Sequence, residues 1–281
     1  MINWVDLILN IAGLLLWLNW RAGKVDPLRK RTPATLVGTL RRAEPARMQR
    51  WHVPAILGGL IFFRAVFYWL IGSGLGWVGS LNLGVASLSF RSDQYGHDWF
   101  GRILLFSVLS FALVLGIFYS WLLLLSLLKG PKPVHDFVRM QLGRADNWGA
   151  GIRFILPFVV AAAAWWLVSG LLVWLHIMPR PISEVRRLEE AVIIGTQGYL
   201  VWQFPIALLL VLHLLNSYIY FGRHPIWDYV DATARALLRP LRKIPLKIGK
   251  VDFAPVAGIA IVFFIAEFAE RGLRALYERS I

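Results

Sequence analysis

Three ionisable residues, Arg64, His213 and Glu267, lie within long apolar segments of the chain. A charge at such depth in a membrane needs a charged partner or water. At a rise of about 1.5 Å per residue, Arg64 and Glu267 lie at similar depth. We therefore predict that they form an ion pair inside a helix bundle, with Glu270 as the next candidate partner. Separate contacts of each charge with water or the membrane surface fit the sequence equally well. Asn10, in the first apolar segment, is expected to hydrogen-bond across helices.

Other histidines and acids give weaker signals. His176 and His213 lie on apolar segments and could ligate a haem iron axially, although no paired spacing supports this. Asp93, His97 and Asp98 lack the spacing of a metal site, and the chain has no cysteine. We therefore expect neither a metal nor a cofactor. The sequence shows no nucleophile-and-base set and no phosphate loop, so we predict that the protein is not an enzyme.

The segments that hold these residues predict an integral membrane protein. The 281 residues are 58% hydrophobic, and stretches of about 20 apolar residues, long enough to cross a bilayer, recur along the chain. In the fourth stretch, Ala161 to Ala164 form a small-residue face that permits close helix approach. The predicted fold is all-α, a polytopic membrane helix bundle of about six spans at 2–20, 53–71, 102–128, 152–177, 199–221 and 253–273.

The distribution of charge predicts the topology. The net charge is +14, but 21 of the 30 Lys and Arg fall in the loops 21–52, 129–153 and 222–251, which together carry +15. The positive-inside rule produces such segregation when these loops face the cytoplasm, so both termini are expected outside it. Nucleic-acid binding is not needed to explain the charge, and we expect none.

The basic loops contain a repeated motif. Pro133-Val-His-Asp-Phe-Val138 matches Pro225-Ile-Trp-Asp-Tyr-Val230, and Gly23-Lys-Val-Asp-Pro27 is a fainter third copy. Each copy follows one span and precedes the next, so we predict three helix-loop-helix repeats. The predicted divisions are a first hairpin at 1–71, an outer loop at 72–101, a second hairpin at 102–178 and a third at 179–281.

The third loop predicts an amphipathic helix from Ile226 to Ile244, interrupted at Pro240. Its apolar side chains recur every three or four residues, which is typical of a helix lying in the membrane surface, although a simple connector fits equally well. We predict that its basic side chains bind anionic phospholipids of the bilayer or a membrane-protein partner. These side chains are Arg235, Arg239, Arg242, Lys243 and Lys247.

Residues 184–221 would span about 57 Å as one straight helix, which is too long for one crossing of a bilayer. We predict a short amphipathic piece, a break near Gly195 and Gly198, and then a span with a kink at Pro205. Ser183 is expected to cap the first piece.

The motif Pro240-Leu-Arg-Lys-Ile-Pro245, followed by Gly249 and by Val251-Asp-Phe-Ala-Pro-Val256, resembles the loop signature of the YggT family of bacterial and plastid membrane proteins. The resemblance covers about 212–268, and His224 stands where the family has Asn. It implies a non-enzymatic accessory protein of a bacterial inner membrane, and it brings no catalytic residues. The matching motif positions are Pro225, Pro240, Arg242, Pro245, Gly249, Asp252 and Pro255.

Three classes of function follow from these patterns. A scaffold or assembly factor with a basic cytoplasmic face is our first hypothesis, and a transporter or channel is the second. The third is haem-related assembly of cytochromes. A continuous water path lined by Arg64, His213 and Glu267 would favour transport, whereas local pairing of these side chains would favour the scaffold.

Overall fold

The computed structural model describes residues 2–24, 51–72, 77–91, 99–128, 132–178, 183–219, 225–241, 244, 246–248 and 251–280. The chain divides into two compact units, residues 1–79 with 90–115 and residues 80–89 with 116–281. Helix dominates both units, as predicted. Two short β-hairpins make the all-α prediction incomplete.

The first unit contains helices α1 (Ile2–Lys24) and α2 (His52–Ile71) and the first part of α3 (Trp99–Leu127). The three helices lie close together. A Cβ added to Gly13 on α1 would approach the Phe111 ring on α3 to 2.7 Å. Small residues therefore let these helices come near enough for polar side chains to meet between them.

The second unit contains the rest of α3 and most of the remaining elements. Helices that are neighbours in the sequence pack on each other, α5 on α6 and α7 on α8. Helix α9 packs on both α6 and α7. The elements are α4 (Lys132–Leu142), a 3₁₀ helix (Gly143–Asn147), α5 (Ala150–Trp174), α6 (Glu184–Leu200), α7 (Gln203–Tyr218), α8 (Pro225–Leu237), β3 (Lys247–Ile248), β4 (Val251–Asp252) and α9 (Ala254–Ser280).

The predicted outer loop contains a β-hairpin. Strands β1 (Val78–Asn82) and β2 (Ser87–Arg91) pair with each other. Gly84 has a φ of +88°, which favours glycine, and its N–H donates to the Asn82 side chain at 2.8 Å. Alternate side chains of β1 are buried, so the strand has one covered face.

Four helical stretches are long and apolar enough to cross a membrane, namely His52–Ile71, Phe100–Leu127, Ala150–Trp174 and Glu184–Tyr218. Their large apolar side chains are widely exposed in the isolated chain, with Phe63 at 64% and Leu167 at 66%. Such surfaces suit contact with lipid. These helices support the prediction of a membrane protein, while α1 and α9 are not among the four.

The predicted break in the fifth segment lies at Val201 and Trp202, between α6 and α7. Its position follows from Pro205, which has no N–H to donate to the Val201 carbonyl four residues earlier. That carbonyl instead accepts from the Phe204 N–H at 3.3 Å. The segment is interrupted as predicted, but the predicted position near Gly195 and Gly198 is wrong, because α6 continues through both glycines.

Helices α5 and α6 pack closely through small residues, as the alanine face predicted. A Cβ added to Gly195 would lie 3.0 Å from both the Ala162 Cβ and the Phe158 carbonyl oxygen. Ser183 caps α6, because its hydroxyl accepts a hydrogen bond from the Arg186 N–H at 3.3 Å. Both of these local predictions are confirmed.

The second and third copies of the motif form the same element. Each lies in a short helix, α4 or α8, that follows one long helix and precedes another. The matched residues Val138 and Val230 are 0% and 3% exposed. Val138 of α4 belongs to one apolar cluster, and Ala234 of α8 belongs to a second. Trp121 and Tyr229 pack against both clusters.

Candidate functional site

Arg64 is the centre of a buried polar network in the first unit. The residue is 2% exposed, and its guanidinium donates to Asp6 Oδ1 at 2.5 Å, to Asn10 Oδ1 at 2.9 Å and to Ser110 Oγ at 3.0 Å. Asp6 Oδ1 also accepts from the Tyr68 hydroxyl at 2.7 Å. One cation and one carboxylate group thus meet inside the bundle, which is how charges are held within a membrane.

Helical spacing places these side chains. Asp6 and Asn10 are four residues apart on α1, and Arg64 and Tyr68 are four residues apart on α2, so each pair shares a face. Ser110 on α3 completes the network and accepts a second bond from the Asn10 amide at 3.0 Å. The prediction that Asn10 bonds across helices is confirmed.

Aromatic rings surround the network. The Arg64 guanidinium lies 5.1 Å from the centre of the Phe106 ring, which is favourable for a cation. The Tyr68 ring stacks on Trp77 at 4.4 Å, and Trp77 is 2% exposed. Arg64 Nε is buried with no hydrogen-bond partner among the described residues. The arrangement binds three helices together.

The predicted pair between Arg64 and Glu267 is wrong. Arg64 pairs with Asp6, whereas Glu267 accepts from Arg271 Nε at 2.9 Å on the same helix, where its side chain is 59% exposed. Depth alone cannot show which helices touch, so counting residues does not identify Asp6 as the partner. Its spacing from Asn10 was the signal in the sequence that could have identified it.

His213 belongs to a second polar group, which joins α7 to α8. Its Nδ1 lies 2.8 Å from Asp231 Oδ1, and the Asn216 amide donates to Asp231 Oδ2 at 3.0 Å. Asp231 thus contacts two side chains that are three residues apart on α7. This contact fixes α8 against α7.

Helix α8 has the predicted amphipathic pattern. Val230, Ala234 and Leu238 are at most 5% exposed, and the last two pack with Leu209 and Leu210 of α7. Protein therefore covers this part of the apolar stripe, whereas Ile244 at its end is 52% exposed. A simple connector and a helix lying in the membrane surface both stay predictions. The sequence pattern could not distinguish the two, because a helix buries the same stripe against either surface.

The basic side chains on α8 and just after it point away from the buried residues. Arg235 and Arg239 are exposed, and Arg235 Nε donates to the Asp231 carbonyl at 3.1 Å. Arg242 and Lys243 lie outside the described residues, and of Lys247 the backbone in β3 is described. The described part of the predicted binding face therefore consists of two outward arginines.

The described positions of the family-like motif begin or end elements. Pro225 begins α8, and that helix ends at Leu237, before Pro240. Asp252 Oδ1 accepts from the Ala254 N–H at 2.9 Å where α9 begins, and Pro255 lies in its first turn. These residues shape the hairpin between α8 and α9. Pro245 and Gly249 lie outside the described residues.

Within the described residues, no group of three or more His, Asp or Glu side chains could hold a metal. Asp93, His97 and Asp98 lie outside that part of the chain. His176 lies in the turn after α5 with a φ of 55°. Comparisons with protein families, curated proteins and solved structures found no match, so the resemblance to the YggT family stays a prediction.

Proposed function

We propose that the protein is a non-enzymatic scaffold or assembly factor of a bacterial cell membrane. On this proposal its basic cytoplasmic face binds anionic phospholipid or a membrane-protein partner. The observation that carries it is the packing of α8. Asp231 holds the helix to α7, Val230 and Ala234 are buried, and Arg235 on the helix and Arg239 just after it are exposed. Because the helix is already fixed, binding a ligand does not carry the entropic cost of ordering it.

Local pairing of the intramembrane polar groups also supports this function. Arg64 is engaged within the first unit, His213 by α8 and Glu267 by its own helix. Groups that satisfy one another in this way offer less support for a transport path than groups lining a cavity would.

We further propose six spans built from three hairpin repeats, with both termini outside the cytoplasm. The equivalent positions of α4 and α8 support the repeat, and the charge of the basic loops supports the orientation. A tag at the C-terminus tests this topology. If the tag reacts from the cytoplasmic side, the orientation is refuted.

Lipid retention tests the binding face. The purified protein is passed through delipidating detergent after reconstitution with neutral and anionic phospholipids, and native mass spectrometry counts the lipids that remain. We expect wild-type protein to retain anionic lipid, and the double variant Arg235→Gln/Arg239→Gln to bind it about thirtyfold more weakly at about 1 kcal/mol per charge. Added salt should weaken retention in the wild type.

The matched control is Arg271→Gln/Arg274→Gln, which removes the same charge from the exposed acid–base pairs of α9. This control should retain anionic lipid as the wild type does. Equal losses in both double variants, or no preference for anionic lipid, would contradict lipid binding at α8. A stoichiometric partner that copurifies with the wild type and is lost in Arg235→Gln/Arg239→Gln would identify a protein as the ligand instead.

A further inference from the structure

Two adjacent acids on α6 have opposite surroundings. Glu189 is exposed, whereas Glu190 is 5% exposed and lies among buried apolar residues. Ala191, Ile193 and Ile194, which follow it on α6, are 1%, 6% and 7% exposed. The helix is packed between α5 and α9. Glu190 is therefore shielded from both water and lipid by the protein itself.

The polar groups that interact with the Glu190 carboxyl lie on three helices, α5, α9 and α6 itself. They are the Trp165 indole on α5, Arg187 on α6 itself and the Tyr277 phenol on α9. Burial raises the pKa of Tyr277, and the neighbouring Glu190 charge raises it further, so this phenol stays neutral. No cation lies within ion-pair distance of Glu190 in the part of the chain that the structure describes.

Arg187 is the cation near Glu190, and its guanidinium contacts other side chains. Its Nε donates to Ser169 Oγ at 2.9 Å, and its Nη1 lies 3.5 Å from Glu184 Oε2. The guanidinium also lies 4.6 Å from the centre of the Trp166 ring. Arg187 is thus positioned toward α5 and toward the helix end, where it forms no ion pair with Glu190 and offsets the charge of that carboxylate only from a distance.

A buried carboxylate without a cation is strongly unfavourable, and uptake of a proton removes that cost. We propose that Glu190 is a proton-binding site inside the helix bundle, whose carboxyl takes up and releases one proton. Uptake adds the proton to a carboxylate oxygen and needs no oxidant or further reactant. Release creates a buried charge, which favours movement of Arg187 or entry of water, so proton release is coupled to the packing of α6 on α5.

Labelling with dicyclohexylcarbodiimide tests this site. This hydrophobic reagent adds to a protonated carboxyl, because the acid proton moves to a carbodiimide nitrogen while the carboxyl oxygen bonds to the central carbon. We expect one adduct per chain at neutral pH on the full-length protein in lipid nanodiscs. The adduct should persist in Glu189→Gln, disappear in Glu190→Gln and decline as the pH is raised.

Fragment mass spectrometry of the labelled wild type assigns the adduct to Glu189 or Glu190 directly, so the test does not depend on folding of the variant. An adduct on Glu189, or no adduct at Glu190 at neutral and acidic pH, overturns the proposal. Lipid retention at α8 does not involve Glu190. The scaffold function and the proton site can therefore fail separately.

Discussion

Replacing Asp6 with Ala removes the carboxylate that neutralises Arg64. The guanidinium, which is 2% exposed, would keep the neutral acceptors Asn10 and Ser110 but lose the bond of 2.5 Å to its counter-charge. Leaving one member of a buried ion pair uncompensated costs about 3–5 kcal/mol. The Asp6 side chain keeps 19% exposure, so we expect a loss near the lower end of this range.

Thermal unfolding in mild detergent, followed by tryptophan fluorescence, measures this loss. The control is Glu267→Ala, which breaks an exposed pair between residues four apart on α9 and should cost only about 0.3–0.5 kcal/mol. The double variant Asp6→Ala/Arg64→Met removes the stranded charge as well. It should therefore be more stable than Asp6→Ala alone, and the double-mutant cycle gives the coupling between the two side chains.

Equal effects of Asp6→Ala and Glu267→Ala would refute the reasoning, because burial would then not distinguish the two ion pairs. A double variant less stable than both single variants would refute it too, since the two changes would then act independently of any shared charge.

Three further predictions concern the second unit. Gly195→Ala should cost about 1–3 kcal/mol by overpacking α5 against α6, whereas Gly198→Ala, whose nearest neighbour is 3.9 Å away, should be tolerated in thermal unfolding. Asp231→Ala should cost about 1.5–3 kcal/mol and speed proteolysis after α8, because the α7 side chains lose their acceptor. Burial raises the pKa of Tyr229, so its contribution to stability should be full below the unfolded value of about 10 and be lost as pH rises above it. Tyr229→Phe should abolish this loss in a pH series of unfolding temperatures.

Sequence reasoning succeeded where short-range chemistry decides the structure. The Ser183 cap and the interruption before Pro205 each depend on residues within four positions; the cap is confirmed, whereas the interruption was predicted at the glycines instead. Gly195 was expected to end a helix and instead allows α6 to approach α5. A glycine permits either outcome, so the choice belongs to the tertiary structure.

Sequence reasoning failed where the partner is distant in sequence. Arg64 pairs with a residue 58 positions away on α1, and counting depth could not select it over Glu267. The hairpin of β1 and β2 was missed because its strands are short and lie in a glycine-rich loop, where alternation over five residues is a weak signal. The burial of Glu190 beside an exposed Glu189 was not predicted either, because the helices α5 and α9 that cover α6 are distant in sequence.

Trp121 packs against two apolar clusters, one completed by α4 and the other by α7 and α8. The ribosome makes these parts at different times, since Tyr229 follows Trp121 by about 100 residues. At about 5–20 residues per second, the second set of contacts arrives roughly 5–20 seconds after the first. During synthesis the contacts of the Trp121 indole with α7 and α8 therefore form only after α4 has been made.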